Sequence, residues 1–285
     1  MDYELINSEK LSMADFRRLS QFIHERIGIK MPDHKRGMVE SRLKKRLNSL
    51  SMERYKDYCD FLFSPEGMEQ ERTHFIDVIT TNKTDFFREP NHFRFLTETA
   101  LPEICRRRGA GSQLRLWSAA CSKGDEPYTL AMVLNEYLES CGNLKISYQI
   151  LATDISTRVL AVARKAIYEA EDVLPVAAPL KKKYLLRSRE RHKGQVRIVP
   201  ELRQKVRFHR LNLMDQDYPI RQALDVIFCR NVIIYFDRET QAALIRRLCR
   251  YLAPGGYLFM GHSEVLDIKM LPLVSVAPTT YRKTV

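Results

Sequence analysis

Residues that could hold a charged ligand follow a short apolar run near the middle of the chain. The run 114–117 is rich in β-prone residues, small residues stand at 119–122 and at 124, and Asp125 and Glu126 come directly afterwards. Pro127 then suits the first turn of a helix. The pattern predicts a strand, a loop and a helix, with the loop at the carboxyl end of the strand, where doubly wound sheets bind ligands.

The two acidic residues restrict which ligand this loop can take. A dinucleotide fingerprint needs three glycines, and Gly124 alone stands here. Carboxylates repel phosphates, but they accept hydrogen bonds from a ribose and neutralise a cation. S-adenosyl-L-methionine, a nucleoside with an ammonium and a sulfonium, fits that chemistry. The alternative is a tight turn before a solvated acidic helix start.

Polar residues also end the other predicted strands of this part of the chain. Asp154 follows the strand 148–153, Asn212 and Leu213 follow 206–211, and Arg230 and Asn231 follow 224–229. The carboxyl ends of parallel strands meet at one edge, so these residues are predicted to share a crevice. An acidic residue after the second strand is the expected partner of ribose hydroxyls, although aspartate is also common in turns.

The first 81 residues show helical periodicity and predict a helical domain, 1–81. Helices are expected from Phe16 to Gly28, after Pro32, after a capping Ser51 and from Ser64-Pro65 onwards. The second helix, 34–47, carries six basic residues, which are Lys35, Arg36, Arg42, Lys44, Lys45 and Arg46. This basic face predicts an acidic partner, with a merely solvated face as the alternative.

A linker, 82–92, joins this domain to a predicted second domain, 93–285. Asn82, Thr84 and Arg88 could face a ligand while Phe86 and Phe87 anchor the segment, although domain packing alone would explain the two phenylalanines.

Strands alternate with helices through most of the second domain, which predicts an α/β fold with a mostly parallel sheet. The helix after Asp154, for example, is expected to start at a capping Ser156 and to include Ile167. Pro278 separates two strand-like runs at the end of the chain, and these would place an antiparallel strand in that sheet. The alternation lapses in 175–205, where 184–186 and 195–199 could pair around a His192-Lys193-Gly194 turn. We predict an inserted β-subdomain there, with a flexible basic excursion as the alternative.

The composition of the chain limits the partners and the cellular location that are expected for the protein. The formal net charge of +12 over 285 residues predicts attraction to nucleic acid, anionic lipid or an acidic protein. The six cysteines form no C-x-x-C pair, and no metal site is predicted from their spacing. No apolar run approaches the roughly 18 residues that span a bilayer, and the first residues lack an apolar signal region, so a cytoplasmic location without membrane insertion is expected.

Six motifs in order resemble the CheR family of chemotaxis-receptor glutamate methyltransferases. They are TTNKTDFFREP, LRLWSAACSKGDEPY, ATDIS, LNLMD, DVIFCRNVIIYFD and GGYLFMGHSE. The resemblance implies a class I S-adenosylmethionine-dependent methyltransferase fold with an N-terminal helical domain and an inserted β-subdomain. It also implies methyl transfer to glutamate carboxylates on the cytoplasmic helical bundles of transmembrane chemoreceptors, with S-adenosyl-L-homocysteine as the product.

The resemblance also assigns roles residue by residue. Asn82, Thr84 and Arg88 would approach the cofactor from the linker, with Glu126 near its methionine end and Asp154 on its ribose. Asn212 and Leu213 would lie by the adenine, Arg230 and Asn231 would line the site, and Tyr235 would stand near the transferred methyl group. The segment 181–199 would match a subdomain that docks a receptor peptide in some members. Ala120 and Lys123 depart from the usual glycine and threonine.

A glutamate carboxylate, with an ordinary pKa near 4.3, is already a nucleophile at neutral pH and needs no general base. Arg88 and Tyr235 are the predicted catalytic residues, for holding a carboxylate and positioning the methyl group. DNA amino-methyltransferases resemble one another in an Asn-Pro-Pro-Tyr type segment, where this chain has Arg230-Asn231-Val232-Ile233, so nucleic acid is not the expected substrate. An adaptor that binds the cofactor or receptor without catalysis stays open.

Overall fold

The computed structural model describes residues 10–142, 145–188 and 194–284. Their contacts form two compact units. One unit holds the chain up to Thr81 together with Tyr235–Asp237, and the other holds the rest of the chain from Asn82 onwards.

The first unit is built from five helices within its described residues. They are α1 (Met13–Ile27), α2 (Arg36–Ser49), α3 (Tyr55–Leu62), α4 (Pro65–Gln70) and α5 (Arg72–Ile79). The hydroxyls of Ser12 and Ser64 cap α1 and α4, and Gly28 ends α1 in the left-handed region with φ 74°. The predicted cap at Ser51 is wrong, because Ser51 has φ 54° and α3 begins only at Tyr55.

The second unit contains ten strands and the remaining helices among its described residues. The strands are β1 (Gln113–Ala119), β2 (Ser147–Asp154), β3 (Ile167–Glu169), β4 (Leu185–Arg187), β5 (Gln195–Ile198), β6 (Val206–Arg210), β7 (Leu224–Cys229), β8 (Leu252–Met260), β9 (Leu273–Ala277) and β10 (Thr280–Lys283). The helices are α6 (Pro90–Phe95), α7 (Leu101–Arg108), α8 (Asp125–Ser140), α9 (Thr157–Lys165), α10 (Ala178–Tyr184), α11 (Pro200–Arg203) and α12 (Arg238–Tyr251).

Seven strands form the main sheet in the order β6-β2-β1-β7-β8-β10-β9. Neighbours pair in parallel from β6 to β8, whereas β10 runs antiparallel to both β8 and β9, as the hairpin around Pro278 predicts. All six residues of β7 are buried, as expected for a central strand covered on both faces. The carboxyl ends of β1, β2, β6, β7 and β8 therefore lie along one edge.

A second, three-stranded sheet has the order β3-β5-β4 and is antiparallel throughout. The predicted hairpin is confirmed in the pairing of β4 with β5, while residues 189–193, with His192 and Lys193 of the predicted turn, lie outside the described residues. Two details are wrong. Tyr184 ends α10 instead of starting a strand, and Ile167, expected in a helix, opens β3 after Ala166 breaks α9 with φ 54°.

No helix among the described residues is long and apolar enough to cross a membrane. Five of the six cysteines are buried as free thiols, and Cys141 is half-buried.

Candidate cofactor site at the carboxyl edge of the sheet

The loop after β1 has an unusual backbone. Ala120, Ser122 and Gly124 all have positive φ, at 60°, 49° and 97°. A β-carbon on Gly124 would lie 3.0 Å from both the Ala163 β-carbon and the Tyr168 hydroxyl, so packing as well as conformation requires glycine here. Ala120 adopts the same left-handed region with a β-carbon, a conformation that costs about 1 kcal/mol or more for a residue other than glycine.

Asp154 ties this loop to the end of β2. One carboxylate oxygen accepts a hydrogen bond from the Ser122 backbone N–H, and the other accepts one from the Ser156 N–H, each at 2.9 Å. The residue is 6% exposed. Asp154 thus organises the loop. A carboxylate oxygen can accept more than one hydrogen bond, as contact with a ribose hydroxyl would require.

Arg230, directly after β7, is the centre of a buried ionic network. Its Nε donates to Glu126 at 2.7 Å, and its Nη1 lies 3.3 Å from a Glu89 oxygen and 2.9 Å from the Arg88 carbonyl. The guanidinium also lies over the rings of Phe93 and Phe228, at 5.3 and 5.5 Å. Only 3% of its side chain is exposed, so these partners hold it in one orientation.

Glu126, in the first turn of α8, receives a second hydrogen bond from the Ser118 hydroxyl at 2.6 Å. Its side chain is 11% exposed. Glu126 and Arg230, which the sequence predicts at one site, therefore lie in direct contact in the structure.

Asn231 turns the chain at the end of β7 with φ 57°. Its amide donates to Glu89 at 3.1 Å, and its backbone N–H donates to Glu264 at 2.7 Å. Glu264, 3% exposed, also accepts hydrogen bonds from the backbone N–H groups of Gly261, Ile233 and Ile234. Burial raises the pKa of Glu264 although these four donors act in the opposite direction.

The linker residues lie on the same unit as the sheet. The Asn82 carbonyl accepts a hydrogen bond from the Ser122 hydroxyl at 2.9 Å, which brings the linker to the loop after β1. Arg88 is half-buried, and its Nη1 donates to the Lys83 carbonyl at 3.2 Å. Thr84 is half-buried as well.

Asn212 and Leu213 follow β6 at the same edge. The Asn212 side-chain oxygen accepts from the Met214 N–H at 3.1 Å, which forms a local turn. Leu213 is 8% exposed, and its carbonyl accepts hydrogen bonds from the Tyr218 hydroxyl and from Arg247. The contact of either residue with adenine stays a prediction.

Tyr235 does not belong to the unit that holds these residues. It ends a short 3₁₀ helix, Ile233–Tyr235, and its carbonyl accepts a hydrogen bond from the Lys30 N–H at 2.8 Å within the helical unit. Its catalytic role stays a prediction from resemblance.

Two residues of the loop after β1 carry charge. The Lys123 ammonium lies 3.4 Å from Asp172, so the departure from the family's usual threonine brings its own counter-ion. Asp125 is 1% exposed, and one of its oxygens has no hydrogen-bond partner among the described residues. Burial, opposed by the Lys123 charge, raises the pKa of Asp125 to about 6.

Sequence reasoning missed Glu89, His92 and Glu264, which all support Arg230 or Asn231. Burial favours the neutral form of Glu89, but hydrogen bonds from Asn231 and the charge of Arg230 outweigh it and lower the pKa of this carboxyl. Glu264 could have been found, because it follows β8 at the same edge of the sheet. Glu89 and His92 follow no strand, so strand-end reasoning does not reach them.

Glu89, His92 and His262 form a cluster whose ligand atoms all lie within 4.8 Å of one another. The guanidinium of Arg230 already fills a position beside two of them, 3.0 Å from His92 Nδ1 and 3.3 Å from Glu89. A metal ion bound there would face this positive charge at close range, so the cluster suits a guanidinium better than a metal.

The donor set at this edge fits a cationic nucleoside. The Asp154 carboxylate lies at the end of β2, and around Arg230 two carboxylates, Glu126 and Glu89, face one guanidinium. S-adenosyl-L-methionine carries a ribose and two cationic groups, which match these acceptors. Sheet order and site chemistry together describe a class I S-adenosylmethionine-dependent methyltransferase.

Comparison with known families identifies the same class of protein and also the family within that class. Residues 82–281 match the model described as "CheR methyltransferase, SAM binding domain", and residues 14–80 match "CheR methyltransferase, all-alpha domain". The chain belongs to the CheR methyltransferase family.

Curated relatives are similar over nearly their whole length. Chemotaxis protein methyltransferase 2 of Pseudomonas aeruginosa is 40% identical over 94% of this chain and 92% of its own. Chemotaxis protein methyltransferase of Escherichia coli is 42% identical, with coverage of 90% and 87%, and that of Borreliella burgdorferi is 39% identical, with coverage of 96% and 95%.

Proposed function

We propose that this protein transfers the methyl group of S-adenosyl-L-methionine to glutamate side chains on the cytoplasmic helical bundles of chemotaxis receptors, forming methyl esters. The observation that carries the proposal is the end-to-end similarity to chemotaxis protein methyltransferases, which spans both matched domains. The cytoplasm, where those bundles lie, is the proposed location.

Methyl transfer to a carboxylate requires the protein mainly to position the two reactants. The acceptor carboxylate is ionised at neutral pH, so no side chain has to remove a proton. The remaining requirements are an in-line approach and removal of water from the carboxylate, of which orientation contributes at most roughly 7 to 11 kcal/mol. A rigid set of side chains at the edge of the sheet suits this demand.

The cofactor, when bound, supplies an electrophilic methyl group on its sulfonium and leaves as S-adenosyl-L-homocysteine. Nine residues are proposed to hold it, namely Asn82, Thr84, Arg88, Glu126, Asp154, Asn212, Leu213, Arg230 and Asn231. Of these, Glu126 and Asp154 are supported by their burial and by their place in the first turn of α8 and at the end of β2.

Arg88 and Tyr235 are the proposed catalytic residues. The Arg88 side chain makes one local bond, to the Lys83 carbonyl, which leaves donors of its planar fork for a carboxylate. Tyr235 is half-buried and is assigned here to positioning the methyl group on the strength of the family resemblance.

Labelled methyl transfer tests the proposed function. Receptor-containing membranes incubated with the protein and methyl-labelled S-adenosyl-L-methionine should gain base-labile label, because carboxyl methyl esters hydrolyse in alkali. Membranes without receptor should gain none. Alkali-stable label, or label on added DNA with the receptor unlabelled, would refute glutamate methylation.

The first proposed docking surface for the receptor is the basic face of α2. The structure reduces the number of cations on this face that are available to a partner. Arg42 donates to the Ile79 carbonyl and to the Thr81 hydroxyl, and Arg46 forms an ion pair with the buried Glu71. Both arginines therefore hold α2 to α5 and its neighbourhood, and we assign the docking role to the other cations of this face. Lys35, Lys44 and Lys45 are exposed and remain available.

Charge reversal at Lys35, Lys44 and Lys45 tests that surface. Each exposed pair with an acidic receptor helix is worth under about 1 kcal/mol and is screened beyond roughly 8 Å, so the effect should be collective. The triple glutamate variant should raise the apparent KM for receptor and weaken its salt dependence, with cofactor affinity unchanged.

A matched control reverses three exposed cations elsewhere, Arg158, Lys165 and Lys269. It changes net charge equally and should alter receptor KM much less. Equal effects of the two triple variants would mean that net charge alone attracts the receptor.

The β-subdomain 181–199 is the second proposed docking surface. Strand β4 is an edge strand of the small sheet, and its Leu186 is 49% exposed. An extended receptor peptide could add to such an edge, with backbone hydrogen bonds supplying affinity. Titration of synthetic receptor C-terminal peptides against the protein measures this directly. Arg187→Pro should reduce the affinity, because the alternation of the β4–β5 ladder turns the backbone N–H of Arg187 away from β5 and toward the free edge.

A further inference from the structure

His92 lies at the back of the ionic network and is 3% exposed. Its Nδ1 is 3.0 Å from Arg230 Nη1, and its Nε2 is 3.0 Å from the Thr279 hydroxyl. A guanidinium can only donate, so Nδ1 must be the acceptor and the proton must sit on Nε2, facing Thr279. The hydrogen bonds of the two ring nitrogens therefore fix one neutral tautomer of His92, with the proton on Nε2.

The ring is also neutral across the physiological range. Burial, followed by the positive charge of Arg230, lowers the pKa of His92 to about 4. A protonated ring would place a second positive charge 3.0 Å from Arg230 and would lose its acceptor. A neutral acceptor holds the guanidinium without cancelling its charge, which a third carboxylate would do.

We propose that His92 is a positioning residue for the cofactor site, which fixes the orientation of Arg230 and, through it, of Glu126. The inference rests on the cofactor-binding roles proposed above for those two residues. The chain of contacts runs from Thr279 through His92 and Arg230 to Glu126, with distances of 3.0, 3.0 and 2.7 Å. Thr279 is itself held by the Met260 N–H, which donates to its carbonyl at 2.9 Å.

Two substitutions at His92 separate hydrogen bonding from packing. His92→Phe keeps an aromatic ring against Phe259, whose centroid is 5.7 Å away, but removes the acceptor. His92→Asn loses the ring but keeps an amide oxygen near the position of Nδ1. Binding of S-adenosyl-L-homocysteine is measured by calorimetry, together with KM, kcat and thermal melting.

We expect His92→Phe to raise the Kd for S-adenosyl-L-homocysteine about tenfold to a hundredfold, the range for losing a hydrogen bond to a charged group. The KM for cofactor should rise in parallel, while kcat at saturating cofactor changes by less than about threefold, since the lost bond acts on binding. His92→Asn should recover most of the affinity. Phe95→Leu, which disturbs packing against Phe259 at a ring-centroid distance of 6.2 Å, should lower the melting temperature without changing Kd.

Wild-type affinity in His92→Phe with a loss in His92→Asn would mean that the ring only fills space. Equal losses in the two variants would mean that an acceptor near Nδ1 is not what holds Arg230, and either result would overturn the proposal. If His92→Phe does not fold, Thr279→Val and Thr279→Ser replace it. The valine variant should weaken cofactor binding and the serine variant should restore it, whereas equal affinities would overturn the proposal. The binding measurements use no receptor, so a wild-type protein that binds cofactor but fails to methylate receptors would refute the proposed function alone.

Discussion

Acidic residues at the carboxyl edge of the sheet hold the backbone of the loops that follow the strands. Asp154 accepts two backbone hydrogen bonds and Glu264 accepts four, so each joins loops that follow different strands. A carboxylate is suited to this use because its oxygens only accept and can serve several donors. The shape of the crevice therefore depends on the same side chains that are proposed to bind in it.

Asp154→Ala should weaken cofactor binding and lower stability together. Two backbone N–H groups lose their acceptor, at about 1 to 3 kcal/mol for each one left buried and unpaired, and the ribose loses a charged partner. Calorimetric titration with S-adenosyl-L-homocysteine and thermal melting measure the two effects.

Tyr58→Phe is a stability control for this variant, because the Tyr58 hydroxyl donates to the buried Glu71 within the helical unit. It should lower the melting temperature and leave cofactor affinity unchanged. Unchanged affinity in a folded Asp154→Ala variant would remove Asp154 from the cofactor site.

Sequence reasoning found the acidic residues that follow strands but not the way their partners are arranged. The pattern of parallel strands places 126, 154, 212 and 230 at one edge, and the structure brings Glu126 and Arg230 into direct contact. Glu89 and His92 were missed because they start a helix after an irregular segment. Their approach to Arg230 depends on the path of residues 82–92, which no periodicity specifies.

At the scale of elements, the small sheet supports the loop after β1. Tyr168, on β3, donates a hydrogen bond from its hydroxyl to the Lys123 carbonyl at 2.8 Å, and its ring meets Phe86 of the linker edge-on at 5.0 Å. The residue is 2% exposed. An inserted element thus contacts both segments that are proposed to bind the cofactor.

Tyr168→Phe should weaken cofactor binding by about fivefold, because one neutral hydrogen bond to the loop is lost at roughly 1 kcal/mol while the ring stays packed. Fluorescence or calorimetric titration gives the affinity. Tyr184→Phe is a matched control, since it removes a buried tyrosine hydroxyl that donates to Glu136 on the outer part of α8. If both variants bind cofactor like the wild type, the small sheet does not stabilise the loop.

Element prediction succeeded where the local pattern and the tertiary contacts agree. The hydroxyls of Ser64 and Ser156 cap helices at the predicted positions through short-range bonds, and β7, a mostly apolar run, is fully buried between β1 and β8. It failed at Ile167, which continues a helical pattern but pairs with Arg197 in the small sheet. That pairing is long-range, so no window of local sequence reveals it.

At the scale of the whole molecule, only some of the cations that produce the net charge of +12 are exposed to a partner. Arg46 and Arg230 are clear examples of cations that cannot serve a partner, because each forms an ion pair with a carboxylate of the protein and most of its side chain is buried. Exposed lysines such as Lys44 and Lys45 are the charges that can steer an acidic partner from a distance. Counting charges from sequence therefore overstates the docking surface, because burial is not visible in composition.

Stability of the protein should depend on pH through Asp125. Its pKa is raised to about 6 in the folded protein, against an ordinary value of 3.8. Between these values the folded state binds more protons than the unfolded state, so the free energy of unfolding falls as pH rises through this window. By this effect the ionised carboxylate costs about 3 kcal/mol at pH 7.

Asp125→Asn removes that cost, so urea unfolding should show the variant more stable than the wild type by about 3 kcal/mol at pH 7, with the difference shrinking to about 1 kcal/mol at pH 4.5. The exposed Asp215, replaced by asparagine as a control, should change the unfolding free energy by less than about 0.5 kcal/mol at either pH. A constant difference between Asp125→Asn and wild type across this range would show that Asp125 does not titrate there. A loss of cofactor affinity in the more stable variant would mean that the buried charge is kept for binding at the expense of stability.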